Sequence, residues 1–421
     1  MAHPLIVALK NLKGNARGCV YTEPIWGIPY NLYSPYVSVY MLSFGLTDAR
    51  IGLIISAGLV VQFISSLLSG AITDKLGRRR TTFIFDFLSW SVPALIYAVS
   101  SNFTAFLIAV IVNSTWRITS NSWSCLLVED TDPKLLLDVY TWIYISGLLV
   151  GFVSPLTGLF IKTFSLVPTM RALYIFAFFM FTLKFIATNA LTTETKHGVV
   201  RMEETRHQSL FSLLGEYRHV LKQILRTPKT MYTIGIMLAL SAAQTVNNTF
   251  WSIMVTKKLL IPVQDLSLYP IARSFILLMF YFFVMPRIKE MHFRNPMLIG
   301  VVGFILSQLL LITMPVQNYW LLLVSTLLDA VSLATVGIQI DRMVVLTVDA
   351  KERARILAII YVIVISFTSP FGWLAGLLSE VNRNLPFILN MIIVACGAVL
   401  VILAARHSLK PLDSPQEPEA A

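Results

Sequence analysis

Charge is what this chain has least of. Only 13% of its 421 residues are Asp, Glu, Lys or Arg, while 56% are hydrophobic. Water-soluble domains carry about 25% charged residues, so this sequence cannot cover a water-facing surface and must be solvated by lipid. Cysteine is equally sparse. Cys19, Cys125 and Cys396 sit in apolar runs with no CxxC or metal-ligand spacing, which excludes a thiolate metal site and reads as small core residues. No GxxxxGK[ST] segment is present, so nothing points to ATP use. All six histidines, His3, His197, His207, His219, His292 and His407, fall in polar loops or tails, leaving no histidine or nucleophile constellation for an enzyme embedded in the apolar part. No cofactor or metal is expected. Met1 to Gly14 is polar and the first apolar stretch is long, so no cleavable signal peptide is expected.

What the sequence does have is apolar runs of about 20 residues, the length of a membrane-spanning helix. They lie at 17–44, 50–72, 81–100, 103–127, 140–161 and 171–192, then at 230–255, 266–286, 296–315, 319–341, 354–378 and 385–405. Strict alternation is missing, so helices are preferred to barrel strands. The expected fold class is an all-α integral membrane protein of twelve transmembrane helices in two six-helix bundles. The first bundle is 1–192, a linker is 193–229, the second bundle is 230–405, and 406–421 is a tail expected to be disordered. The halves look alike: the fourth span runs into Val128-Glu129-Asp130, and the tenth is followed by Val348-Asp349-Ala350. The linker's second part repeats Leu210, Leu213, Leu214, Tyr217, Val220, Leu221, Ile224 and Leu225 at helical spacing, with Arg218, Lys222 and Arg226 among them. That pattern suits an amphipathic helix on the membrane face, a disordered linker being the alternative.

The excess of basic residues, net +11, is spread over short loops rather than gathered in a patch, which argues against nucleic acid. With both termini on one side, 24 of the 33 Lys and Arg lie on that side, and only Arg50, Lys162, Arg171, Lys257, Lys258 and Arg383 on the other. The positive-inside rule places both termini in the cytoplasm and requires an even number of spans. A multi-pass plasma-membrane protein, expected to be a monomer with the bilayer as its main partner, is the reading.

Between the second and third spans runs Gly70-Ala71-Ile72-Thr73-Asp74-Lys75-Leu76-Gly77-Arg78-Arg79-Arg80. Gly70 suits a close helix approach, Gly77 a tight turn, and Asp74 can pair with Arg78 or cap neighbouring helix ends. This loop, in this place among twelve spans, resembles the signature of the major facilitator superfamily. The resemblance implies secondary transport by alternating access and a conformational latch at Gly70, Asp74, Gly77 and Arg78. Arg117 stands where many members carry an arginine implicated in proton transfer, although the Gln-Gly that often follows is absent. The glycine-proline pattern of antiporter members is broken at Ser154 before Pro155, which counts against the drug/proton antiporters.

Ionisable residues inside the spans are costly in lipid and are functional candidates by default. Six occur: Glu23, Asp86, Arg117, Lys184, Arg273 and Asp329. Asp86 can pair with a cytoplasmic base, and Lys184 can snorkel to the same side. Arg117 shares a polar stripe with Asn113, Ser120, Asn121 and Ser124. Arg273 can reach Asp329. Glu23, in a proline-bent first span and expected near Arg117, is the leading proton-coupling candidate together with Arg117. The first span also carries Tyr30 and Asn31, and the seventh carries Gln244, Asn247, Asn248 and Trp251. With Asn113, Arg117, Asn121 and Asp329 these form the expected substrate cavity, because transporter sites lie where repeats meet at the midplane. The function expected is a transporter, proton-coupled, for a small polar, anionic or zwitterionic solute. Efflux of amphipathic or cationic compounds is the alternative, disfavoured by the cavity's expected positive charge.

Overall fold

The computed structural model describes residues 9–132, 135–207, 228–289, 291–347 and 353–407. The expected amphipathic helix of the linker and the tail from 408 onward lie outside them, as does the Val348-Asp349-Ala350 segment that mirrors Val128-Glu129-Asp130 in sequence.

Every long element among the described residues is helical. In chain order they are α1 (14–43), α2 (Asp48–Leu76), α3 (Arg78–Val99), α4 (Phe103–Val128), α5 (Asp138–Phe164), α6 (Leu166–Leu191), α7 (Lys196–Glu204), α8 (228–258), α9 (Val263–Val284), α10 (Arg294–Thr313), α11 (Tyr319–Thr347), α12 (Arg353–Val381) and α13 (Leu385–His407). Each of the twelve expected runs coincides with one of these within a few residues, and α7 is a short helix after α6. Among the described residues, ten helices are long and apolar enough by themselves to cross a membrane. The other two long ones, α1 and α8, fall short in apolarity because they carry Glu23, Asn31, Gln244, Asn247 and Asn248. A polar face on a helix packed inside a membrane bundle must look into protein or a cavity.

Prolines and helix ends follow local chemistry. Thr47 caps α2 by accepting from the Arg50 amide, and Gly77 ends it at φ +84°, a backbone conformation that side-chain-bearing residues rarely adopt. Pro93 lacks the N–H that would bond the Ser89 carbonyl one turn back. That freed carbonyl accepts instead from Asn113 Nδ2 at 2.7 Å, and α3 relaxes into a π-helical turn over Phe87–Ser91. Of the three cysteines, Cys19 is buried, Cys125 half-buried and Cys396 exposed. The expectation of a buried Cys396 is therefore corrected: it faces outward from α13.

The first six long helices meet the last six most closely at the end carrying Asp48. There α2 crosses α12 at Gly52, Gly372 and Gly376; a methyl group on Gly52 would stand 2.3 Å from the Gly372 carbonyl oxygen. Trp373 N donates to Ser56 Oγ at 2.7 Å, and Ser379 Oγ to Asp48 Oδ2 at 2.6 Å. Arg383 lies 3.7 Å from the same buried Asp48 carboxylate, and Glu380 accepts from the Ala49 amide at the start of α2. Ser154 Oγ donates to the Ser267 carbonyl on a second contact between α5 and the start of α9.

Candidate functional site

Between the two sets of helices lies a cavity of about 950 Å³, the size of a small-molecule site. Its charged lining comes from both sets: Glu23, Asp86 and Lys184 from α1, α3 and α6, and Arg273 and Asp329 from α9 and α11.

Lys184 is the pivot of the first group. Its ammonium lies 3.8 Å from Glu23 Oε2 and 3.8 Å from Asp86 Oδ2, with the lysine and aspartate side chains almost wholly enclosed and that of Glu23 19% exposed. One cation thus serves two carboxylates, and of the two Glu23 is the more open to the cavity. The Trp123 ring lies 5.8 Å and the Phe185 ring 5.2 Å from the ammonium, which keeps the charge in aromatic surroundings. Three expectations are corrected by this geometry. Lys184 does not snorkel outward, and Asp86 pairs with it rather than with a loop base. Glu23 likewise has Lys184, not Arg117, as its partner. The guanidinium of Arg117 lies over its neighbour Trp116 at 4.4 Å, and its Nε is buried without a hydrogen-bond partner.

The second group is built around buried Asp329. Its Oδ1 accepts from Asn247 Nδ2 at 3.1 Å and Gln308 Nε2 at 3.2 Å. Its Oδ2 is 3.9 Å from Arg273, whose side chain is 40% exposed. Two amides therefore satisfy Oδ1, and Arg273, partly exposed, lines the cavity.

Aromatic rings wall the space between. Trp26 stacks on Tyr30 at 4.8 Å and 15°, and Trp90 meets Trp26 edge-on at 4.9 Å. Opposite them Trp251 packs against Tyr269 at 5.5 Å. Of the substrate-site residues expected from sequence, Tyr30, Asn31, Asn113, Asn247, Asn248, Trp251 and Asp329 line the cavity. Arg117, Asn121 and Gln244 stand outside that lining. Asn31 spends a donor on the Gly27 carbonyl at 2.9 Å, and Asn121 on Thr73 Oγ1 at 3.4 Å. Sequence reasoning missed Gln308, Trp90 and Tyr269. A proline four residues after Ser89 was the available signal for Trp90, since it marks a distortion beside Asp86.

The signature loop forms its own network. Arg78 donates to Asp74 at 3.0 Å and to both Glu129 oxygens at 3.1 Å. Glu194 accepts from the backbone amides of Arg78 and Arg79 at 2.9 and 3.0 Å. Arg201 of α7 reaches Asp74 at 2.8 Å, and hydrogen bonding to Asp74 pushes its pKa above even the usual arginine value. Gly77 is required here, because a Cβ would meet Glu194 Oε2 at 2.6 Å. Gly70 lies half-buried within α2.

Among the described residues, ten helices long and apolar enough to cross a membrane, with α1 and α8 beside them around the cavity, make this a multi-pass membrane protein, and its family is that of the major facilitator secondary transporters. The nucleoside transporter NupG, in a point-mutant form, superposes with a TM-score of 0.74 at 16% identity, covering 93% of this chain and 100% of that one. A POT family transporter bound to 5-aminolevulinic acid gives 0.66 at 13%, over 93% and 96%. The human organic anion transporter MFSD10 gives 0.65 at 14%, over 92% and 98%. At such identities the likeness is one of fold. The family model described as MFS_1 like family matches residues 31–388, and the chain belongs to that family. Among curated proteins, the quinolone resistance protein NorA of Staphylococcus aureus is 31% identical over 81 residues, 19% of this chain. The matched stretch spans about a fifth (21%) of that protein's length.

Proposed function

We propose that this transporter couples movement of a small polar solute to a proton, and that the Glu23–Lys184–Asp86 cluster carries the proton. The observation that supports it most is stoichiometric: one buried ammonium faces two carboxylates across 3.8 Å gaps. With Lys184 charged, the cluster holds one negative charge in excess, which a proton neutralises. Burial of that extra charge is costly enough to make its protonation depend on which side of the membrane the cavity faces. Glu23, the more open carboxylate, is the exchange point.

On this reading Asp74 and Arg78 mark the cytoplasmic end, a placement that the distribution of basic loops supports, and both termini lie in the cytoplasm at the plasma membrane. The Asp48 end then faces outward and is closed by the α2–α12 crossing, giving a cavity that communicates inward. Gly70, Asp74, Gly77 and Arg78 serve as the latch that releases and reforms as the halves rock. Glu23→Gln tests the assignment. At saturating solute it should retain exchange across proteoliposomes while losing accumulation driven by a pH gradient; undiminished gradient-driven accumulation would remove Glu23 from the coupling role.

The local similarity to a quinolone resistance protein favours a second reading, efflux of amphipathic organic compounds. A cavity walled by Trp26, Tyr30, Trp90 and Trp251 has room for flat apolar rings. Dye export by energised vesicles, with and without Glu23→Gln, separates the two.

A further inference from the structure

The lining charges are divided between two poles. At one, Glu23 and Asp86 share Lys184, leaving a net negative charge beside the cavity. At the other, Arg273 and Asp329, 3.9 Å apart, are neutral in sum, but Asp329 is enclosed and hydrogen-bonded by Asn247 and Gln308 while Arg273 is 40% exposed, so the guanidinium is the part of the pair that a solute can reach. Among the described lining residues a free anion finds Arg273 alone, since Lys184 is enclosed between carboxylates. A simple cation finds Glu23 but does not answer Arg273. A neutral solute answers neither pole. Flat rings from both sets of helices wall the same cavity: Trp26 and Tyr30, one helical turn and two turns beyond Glu23, and Trp251 with Tyr269, the latter one turn before Arg273.

We infer that the solute is a zwitterion carrying a flat ring, with its ammonium directed to Glu23, its carboxylate to Arg273 and its ring between the aromatic walls. This rests on the transporter reading above and names the substrate class of the same cavity. A consequence follows for coupling. Either a proton or the ammonium can neutralise the excess carboxylate, but not both, so the two compete and travel in opposite directions. The titratable groups facing Glu23 are Lys184, Asp86 and the buried Cys19; a thiol and an ammonium keep their protons near neutrality, and the carboxylates are the groups that compete.

The test is thermal stabilisation of the purified full-length protein by ring-matched probes. L-tryptophan, whose two charges share one carbon, is compared with L-tryptophanamide, N-acetyl-L-tryptophan and tryptophol, and 4-(aminomethyl)benzoic acid, whose ring separates its charges, with its singly charged amide and N-acetyl forms. Bound solute raises stability in proportion to its affinity. The zwitterions should bind roughly tenfold or more tightly than either singly charged form, as expected for one charge-assisted contact at each end. Their affinity should fall as the pH is lowered. Arg273→Gln should shift preference to tryptophanamide, and Glu23→Gln to N-acetyltryptophan, with the ligand-free melting temperature reporting that each variant folds. A neutral or singly charged form binding best, or no zwitterion stabilising the protein at all, overturns the assignment. Because binding is read without a gradient, that result leaves proton coupling standing, whereas zwitterion binding without any proton-linked flux defeats the coupling and leaves the substrate class.

Discussion

Lys184 shows most sharply how an individual side chain acquires its role. By position it lies about eight residues from a helix end, where a lysine can reach the interface. The fold instead encloses it between Glu23 and Asp86. Removing one member of such a cluster leaves an uncompensated buried charge and typically costs about 3 kcal/mol or more. Lys184→Met should therefore lower the melting temperature of the purified protein markedly. Adding Asp86→Asn to it should recover part of the loss, a coupling that the double-mutant cycle measures; additive losses would show that the two side chains do not interact. Glu23 and Asp329 are legible as candidates because ionised groups deep in apolar helices need a reason. Their partners are not. Spacing along one helix tells which residues share its face but not which face of another helix it meets, so sequence alone matches Glu23 to Arg117 rather than to Lys184.

Helices carry the next layer of the account. The α2–α12 crossing relies on glycines at which any side chain would collide with the opposing backbone; a Cβ on Gly376 would stand 2.7 Å from the Asp48 carbonyl oxygen. Gly376→Val should hold this end apart and favour the opposite state of the cavity. With Asn248→Cys introduced in a cysteine-free background, labelling by a membrane-impermeant maleimide from the Asp48 side should rise severalfold. Unchanged labelling would mean that the crossing is no gate. At the other end, Gly77→Ala combines an unfavourable positive φ with a clash at Glu194, and a strained position of this kind costs about 1–3 kcal/mol. Loss of α7 docking should follow, seen as faster amide exchange over Lys196–Glu204. The helix pattern itself is fully readable, since runs of about 20 apolar residues permit little else in lipid. Less readable is the detail inside helices: the π-helical turn over Phe87–Ser91 depends on Pro93 and on a distant Asn113 that accommodates it.

For the molecule as a whole, the sequence is informative about architecture and reticent about chemistry. Loop charge and the Gly70 to Arg80 segment point to twelve spans of one superfamily, and the family match over residues 31–388 agrees. The cavity's charge balance is not visible there, because it depends on who neutralises whom. Arg117 counts as a cavity cation by its place on a polar stripe and yet stands outside the lining, while Lys184 is already spent on two carboxylates. What counts against cations in the sequence becomes, in the proposal above, a preference for solutes bearing both charges. The proposed coupling requires that solute movement displace a proton through Glu23. It is tested most directly in proteoliposomes loaded with a pH-sensitive dye, to which a stabilising zwitterion is added on one side. A solute-dependent change in lumenal pH is expected with the native protein and none with Glu23→Gln, the solute concentration being raised for the variant until its weaker binding no longer limits exchange. Uptake by the native protein with no change in lumenal pH would contradict it.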